Sequence, residues 1–433
     1  MLDLAKYYRI LEAADPILVK GKVAQVVGLT LEGRGIRAAI GDVCEIAANG
    51  HKIQAEVIGF KEDSIILMPF GEIQGILPGS EIIHLGKRAT VGVSTKLLGR
   101  IINALGEPLD GKGPLPVEEE YYLYALPSNP LARVRINTPL DVGIRAINGL
   151  LTLGKGQRVG IFAGSGVGKT TLLGMMVRYA KADVKVIALI GERGREVRDF
   201  VEKHIKDSLT QTVLVVATSD QPPLLRMRGA FVATAIAEFF RDQGKDVLLI
   251  MDSLTRFAMA QRELGLSAGE PPTTKGYTPS VFALLPKLLE RAGAWQRGSI
   301  TALYTVLVEG DDMNDPIADA SRAILDGHIV LSRELARQNQ YPPIDVLSSV
   351  SRVMYDVTTK EHFSLSNQFK ELLATYKEAE DMINIGAYVK ESNPRIDRAL
   401  KLIDQMRAYL KQDIDENTDL EQSIKQLGDI LNG

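Results

Sequence analysis

Apolar and polar positions change rhythm three times along this chain. From Lys20 to about Thr90, the runs VKGKVAQVVGLTLEG, VCEIAANG, KIQAEVIGF and DSIILMPFG are short and β-rich. Gly, Asn and Asp break them every ~8–12 residues, which predicts a small closed β-barrel. From Pro130 to about Met354, the runs RVGIFAG, VKVIALIG, TVLVVATS, DVLLIMD, ITALYTVLV and GHIVLS are apolar nearly throughout. A strand wet on one face would alternate, so these read as buried parallel strands. Helical patterns over 170–181, 194–207, 223–243 and 280–292 lie between them, and alternating β and α predicts a parallel sheet covered on both faces.

Three helix patterns fill the remaining part, HFSLSNQFKELLATYKEAEDMIN, NPRIDRALKLIDQMRAYLKQ and TDLEQSIKQLGDIL. Asn393-Pro394 is a good helix entry, and Thr418 with Glu421 has the spacing of a capping box. At the other end, Leu2, Tyr7, Ile10 and Leu11 recur at rough helical spacing. A helix that short is marginal alone, so it packs on the barrel or meets a partner. The expected fold is an α/β core with an N-terminal β-barrel and a C-terminal helical domain. The expected boundaries are 1–18 (helix), 19–92 (barrel), 93–356 (α/β core) and 357–433 (helices).

Composition narrows the partners. The chain has 433 residues, 45% hydrophobic and 24% charged, with a net charge of −3. That balance lacks the basic footprint of a nucleic-acid binder, and no nucleic-acid partner is expected. The single cysteine, Cys44, excludes an internal disulfide, and no Cys/His cluster has metal-ligand spacing. The start MLDLAKYYRILEAADPI has no basic head before an apolar run, and no stretch approaches ~18 continuous apolar residues. A cytoplasmic location is expected.

The chemistry concentrates in AGSGVGKTT, between a predicted strand and a predicted helix. Ala163, Gly164, Ser165, Gly166, Val167, Gly168, Lys169, Thr170 and Thr171 form this phosphate-binding loop. The glycines let backbone N–H groups curl around a phosphate chain, and the helix N-terminus adds a favourable dipole. In this motif Lys169 reaches the β- and γ-phosphates of ATP, and the Thr170 hydroxyl ligates Mg²⁺. The usual pattern begins with Gly, and Ala163 stands in its place, which a negative φ tolerates. Asp252 ends the apolar run VLLIMD, where a carboxylate at a strand's C-terminal edge serves Mg²⁺ and its waters. Glu192 directly follows VKVIALIG, so it too lies at that edge and could polarise a water. A surface Glu–Arg cluster at a helix start accounts for it about as well on residues alone. Arg256 and Arg352 read on spacing alone as surface or structural residues, and Tyr341 as a loop-packing aromatic. The stretch 265–280 is rich in Gly and Pro and long for a compact domain.

With these residues in view, LGRIINALGEPLDGKGPL (98–115), GSGVGKTTL, GERGREV, MDSLTRFA and SSVSRVM resemble the catalytic β subunit of F-type ATP synthases. VLVEGDDMNDPIADASRAILDGHIVLSR (306–333) and IGAYVKESNPRIDRAL (385–400) are more similar to the ATPases of type III protein export. The β subunit carries an acidic run that meets the central stalk where this chain has Ala387 to Asp397, which lacks one. Asp315-Pro316 and the overall texture resemble the flagellar branch, with the virulence injectisome branch as the alternative.

The resemblance implies a RecA-like core and a homo-oligomer, a six-membered ring with ATP sites at subunit interfaces. It makes Glu192 the catalytic carboxylate, puts Arg193 and Arg256 near the phosphates, and gives Asp252 to the metal shell. Tyr341 becomes an adenine-stacking residue and Arg352 an arginine finger donated to a neighbour. It also implies four partners: a regulator at the N-terminal helix, a coiled-coil stalk in the pore, chaperone-bound export substrates, and a membrane export gate. The location implied is the inner face of the cell membrane, reached through those partners. A hexameric RNA translocase fits less well, because 20–90 has only Phe60 and Phe70 as aromatics. A regulatory subunit without turnover is disfavoured by Lys169 and Glu192 together.

Overall fold

The computed structural model describes residues 19–126, 129–308, 310 and 312–432. The helix expected over 1–18 lies outside them. Six strands close the barrel in the order β1-β2-β5-β4-β3-β6: β1 (Lys20–Val27), β2 (Thr30–Arg34), β3 (Asp42–Ala48), β4 (His51–Lys61), β5 (Ser64–Pro69) and β6 (Glu81–Arg88). Closure comes from β1 against β6, with Lys20 opposite Ile83. The interior is filled by Val23, Leu31, Cys44, Ile46, Ala55, Val57, Leu67 and Ile82, all nearly inaccessible. Burial pushes the Cys44 thiol up to about 12, so it stays protonated and inert.

The six continuous apolar runs all become parallel strands: β8 (Arg158–Ala163), β9 (Val184–Ile190), β10 (Thr212–Ala217), β11 (Asp246–Asp252), β12 (Ser299–Leu307) and β13 (Gly327–Leu331). Two further strands flank them, β7 (Ile101–Asn103) at one edge and β14 (Ile344–Ser351) at the other. The sheet runs β14-β13-β8-β12-β11-β9-β10-β7, and β14 alone on this path is antiparallel to its neighbour. Burial on both faces explains the unbroken apolar texture, since every residue of β9 and β10 is buried.

The helices that matter to the site are α1 (Lys169–Tyr179), α2 (Gly194–Phe200), α3 (Pro223–Asp242), α4 (Leu254–Ser267) and α5 (Pro279–Leu289). The pattern over 194–207 is α-helical only to Phe200. It then widens into a π turn over Val201–Ile205 and tightens into 3₁₀ geometry over Lys206–Gln211. A buried tie joins barrel to core. Arg228 of α3 donates to Glu56 of β4 at 3.1 Å, and the Tyr124 hydroxyl donates to the other Glu56 oxygen at 2.6 Å.

The C-terminal region holds α6 (Lys360–Asn384), α7 (Pro394–Leu410) and α8 (Leu420–Asn432). Asn393 caps α7, accepting from the Arg395 N–H. The expected Thr418–Glu421 box does not form. The N–H and C=O of Thr418 are bonded to Gly143 and Asn148, which fixes it to the core. The helix therefore starts one residue later, with Asp419 accepting from the Gln422 N–H at 2.9 Å. Gln412 is buried and fully bonded. Its side chain accepts from the Arg145 N–H at 2.7 Å and donates to the carbonyls of Gly143 and Glu416, and its own N–H donates to the Tyr341 carbonyl at 2.9 Å. Among the described residues no helix is long and apolar enough to cross a membrane.

Candidate nucleotide site

Strand β8 ends at Ala163, inside the sheet, and α1 begins at Lys169. Ala163 is fully buried and paired to Leu307 and Leu331 in extended backbone, so its Cβ meets no conformational obstacle. Further along, Gly166 and Gly168 take φ values of 77° and 92°, where a side chain would strain the turn. Val167 is buried and anchors the loop, while Ser165, Gly166 and Thr170 are exposed around it. Among the described residues no side chain caps the first turn of α1. Its N–H groups therefore remain available to an anion.

Lys169 is the centre of charge. Its ammonium group sits against Asp252 Oδ1 and lies 3.8 Å from Glu192 Oε1, with all three side chains at least four-fifths buried. Asp252 pairs in register with Leu189, so both carboxylates lie at the carboxyl edges of adjacent strands. The Thr305 hydroxyl of β12 donates to Asp252 at 2.7 Å and fixes its orientation. Burial, a hydrogen bond with Glu196 and the negative charge of Asp252 together push the Glu192 carboxyl up to about 7, against the opposing pull of Lys169. A carboxyl so poised exchanges a proton near neutral pH.

Arg256 stands beside Glu192. Its stem lies so close to Gly191 that a Cβ there would come within 2.8 Å of the Arg256 Cβ. The Ser253 hydroxyl caps α4 by accepting from the Arg256 N–H at 3.2 Å. Tyr341 also approaches the loop, since a Cβ on Gly168 would lie 3.8 Å from its ring, and Tyr341 is half exposed. Arg193 is not drawn in. Its side chain is 82% exposed, with Glu196 4.0 Å away.

Arg352 lies at the far edge of the sheet. In the antiparallel β14, Ile344 pairs with Leu331 at the carboxyl edge of the sheet and Ser351 pairs with Gly327 at the amino edge. At ~3.3 Å per residue, Arg352 is about 26 Å along the strand from the edge that carries the phosphate loop. There it is exposed, and its guanidinium donates to the Arg322 carbonyl at 3.3 Å.

A cation would find the exposed Thr170 hydroxyl and the Asp252 carboxylate. Among the described residues no cluster of three or more His, Cys, Asp or Glu could hold a metal alone. This donor set suits Mg²⁺, which keeps waters and draws on substrate phosphates with one or two protein oxygens. Sequence reasoning missed Thr305 and Glu196. Thr305 is the second threonine of the apolar run ITALYTVLV and lies toward its carboxyl end, where the site is, a signal that could have found it.

Residues 143–351 match the nucleotide-binding domain of the ATP synthase alpha/beta family, and residues 23–86 match its beta-barrel domain. Residues 358–429 match the C-terminal domain of the type III secretion ATPase EscN. A flagellum-specific ATP synthase of Bacillus subtilis is 55% identical over 425 residues, 96% of each chain. A type 3 secretion system ATPase of Xanthomonas euvesicatoria is 49% identical, covering 94% of this chain and 93% of its own. The assembled ATPase EscN of enteropathogenic E. coli superimposes with a TM-score of 0.91 at 47% identity, covering 95% of this chain and all of EscN. EscN in complex with its central stalk EscO gives 0.89. The chain belongs to the ATP synthase alpha/beta family, and within it to the ATPases of flagellar and type III secretion systems.

Proposed function

We propose that this chain hydrolyses ATP to ADP and phosphate, and that turnover energises type III export of flagellar proteins. The observation that carries the reading is the meeting of Lys169, Glu192 and Asp252 beneath a glycine cradle at one sheet edge. The loop N–H groups and Lys169 hold the β- and γ-phosphates, which compete with Asp252 for the ammonium group. Glu192 orients the attacking water and takes its proton as the new P–O bond forms. The bond from Pγ to the bridging oxygen breaks, and its electron pair leaves with ADP. Thr170 and Asp252 would hold Mg²⁺, which supplies charge neutralisation on the phosphates. Arg256 adds positive charge beside Glu192, Arg193 lies at the exposed rim, and Tyr341 stacks on adenine. Arg352 serves the site of a neighbouring subunit.

The likeness to EscN, assembled and bound to its stalk, supports a homo-oligomeric ring around a coiled-coil stalk. Ile385 and Val389, 77% and 70% exposed in the turn between α6 and α7, offer an apolar contact for that stalk. The remaining assignments are a regulator at residues 1–18, chaperone-bound substrates, and a membrane export gate reached from the cytoplasm. Identity of 55% to a flagellar relative, against 49% to a secretion one, favours the flagellar branch. In a flagellated bacterium deleted for its export ATPase, the wild-type chain should restore filaments and Glu192→Gln should not. Wild-type failure there, with rescue of an injectisome mutant instead, overturns the flagellar assignment.

A further inference from the structure

A second basic cavity adjoins the site. It holds about 330 Å³ and is lined by Arg256, Met259 and Arg262 of α4, Lys275 and Tyr277 of the following loop, and Asp315. Helical spacing puts Met259 and Arg262 on one face of α4, and Arg256 joins them through its contact with Met259. Arg256 is the shared wall, because it also packs on Gly191 beside Glu192.

Among the described residues, the cations of this cavity outnumber its carboxylates. Lys275 is compensated, with Asp315 at 3.2 Å and Asp312 at 3.7 Å. Arg256 and Arg262 have no carboxylate within ion-pair distance among the described residues. Arg262 lies over the Tyr277 ring at 5.5 Å, and Arg256 reaches only the Met259 sulfur at 3.9 Å. The Arg256 Nε is buried, with no hydrogen-bond partner among the described residues. Elsewhere the fold pairs its enclosed arginines. Arg100, Arg158, Arg226, Arg228 and Arg291 each hold a carboxylate within 3.1 Å. Three cations against two carboxylates among the described residues leave the cavity net positive, which favours an anion, and a buried donor without an acceptor is costly to leave so. The volume takes a small oxyanion and its waters, roughly ten waters' worth of space.

We propose that this cavity is an orthophosphate site, a vestibule that takes the phosphate released at Glu192 and passes it outward by way of Arg262. The inference rests on the ATPase reading for its ligand. Arg256 would hand the anion from the cleavage site to Arg262, and Lys275 would hold the outer wall through its carboxylates.

The test is binding of labelled inorganic phosphate to the nucleotide-free full-length chain by equilibrium dialysis, together with phosphate inhibition of ATP turnover. Arg262→Gln should weaken phosphate binding at least five-fold and raise the half-inhibiting phosphate concentration by the same factor. The KM for ATP should stay within two-fold of wild type. Arg262→Lys, which keeps the charge, should retain most of the phosphate effect and controls for misfolding. Phosphate binding that is absent, or indifferent to Arg262→Gln, overturns the vestibule. A KM for ATP that rises in parallel also overturns it, because Arg262 would then belong to the ATP subsite. Arg262-dependent phosphate binding in a chain without ATPase activity would keep the site and reject the ATPase reading. An active ATPase without that dependence would reject the vestibule alone.

Discussion

Mixing two inactive variants tests how the ring divides its chemistry. Arg352 sits about 26 Å along β14 from the edge that carries its own phosphate loop, so it cannot touch its own γ-phosphate. Lys169 lies at that edge, on the carboxylates. Arg352→Ala should cost ~10³-fold in turnover, the scale of an arginine finger. Lys169→Ala should be similarly inactive, because its charge meets both ground and transition states. On the proposed reading, each ATP site of a ring pairs one chain's Lys169 with a neighbour's Arg352. With equal amounts of the two variants mixed at random, half the chains keep Lys169 and half the neighbours keep Arg352. About a quarter of the interfaces are then intact, so activity should recover to about 25% of wild type per chain. The assay is steady-state phosphate release after co-assembly, with mixed rings verified by differently tagged subunits. If Arg352 acted within its own chain, no mixed site would be whole. Turnover would stay at the sum of the single variants, and that result, with co-assembly established, would refute the argument.

Two further outcomes follow from the geometry. The Glu192 carboxyl is pushed up to about 7 by burial, Glu196 and Asp252, and a general base works only when deprotonated. The kcat/KM for ATP should therefore fall as pH drops through about 7, and a profile flat down to pH ~5.5 would count against Glu192 as the base. Gln412 joins the C-terminal helices, Gly143 and the Tyr341 carbonyl through buried hydrogen bonds. Gln412→Ala should loosen the Tyr341 loop and raise KM for ATP several-fold with kcat nearly unchanged, whereas a fall in kcat at constant KM would place its influence elsewhere.

The α/β core was legible because burial on both faces left continuous apolar runs, as in DVLLIMD and TVLVVATS, and all six such runs became parallel strands. Strands β7 and β14 escaped for physical reasons. The first is only three residues long, and the second alternates buried and exposed positions as an edge strand does. The phosphate loop is a local motif, so its conformation followed from contiguous residues. Glu192 and Asp252 were singled out because each directly follows or ends an apolar strand, and the structure brings both to Lys169. Thr305 and Gln412 were not found, since their roles come from contacts 53 and 71 residues distant in sequence, at Asp252 and Tyr341. The Thr418 box failed on the same ground, because the core's hold on that residue leaves no local trace. The resemblance carried the meanings of Tyr341 and Arg352, which residue type alone left open. The structure puts them at opposite edges of the sheet.

The central claim is that Glu192 activates water while the loop and Lys169 hold the nucleotide. Glu192→Gln keeps size and hydrogen bonding and removes the base. The decisive measurement pairs equilibrium binding of Mg²⁺ with a non-hydrolysable ATP analogue and single-turnover hydrolysis, both on that variant. Affinity should stay within a few-fold of wild type while the hydrolysis rate falls on the order of 10²-fold or more, as expected for loss of a positioned base. Hydrolysis at near the wild-type rate with unchanged binding would contradict the account.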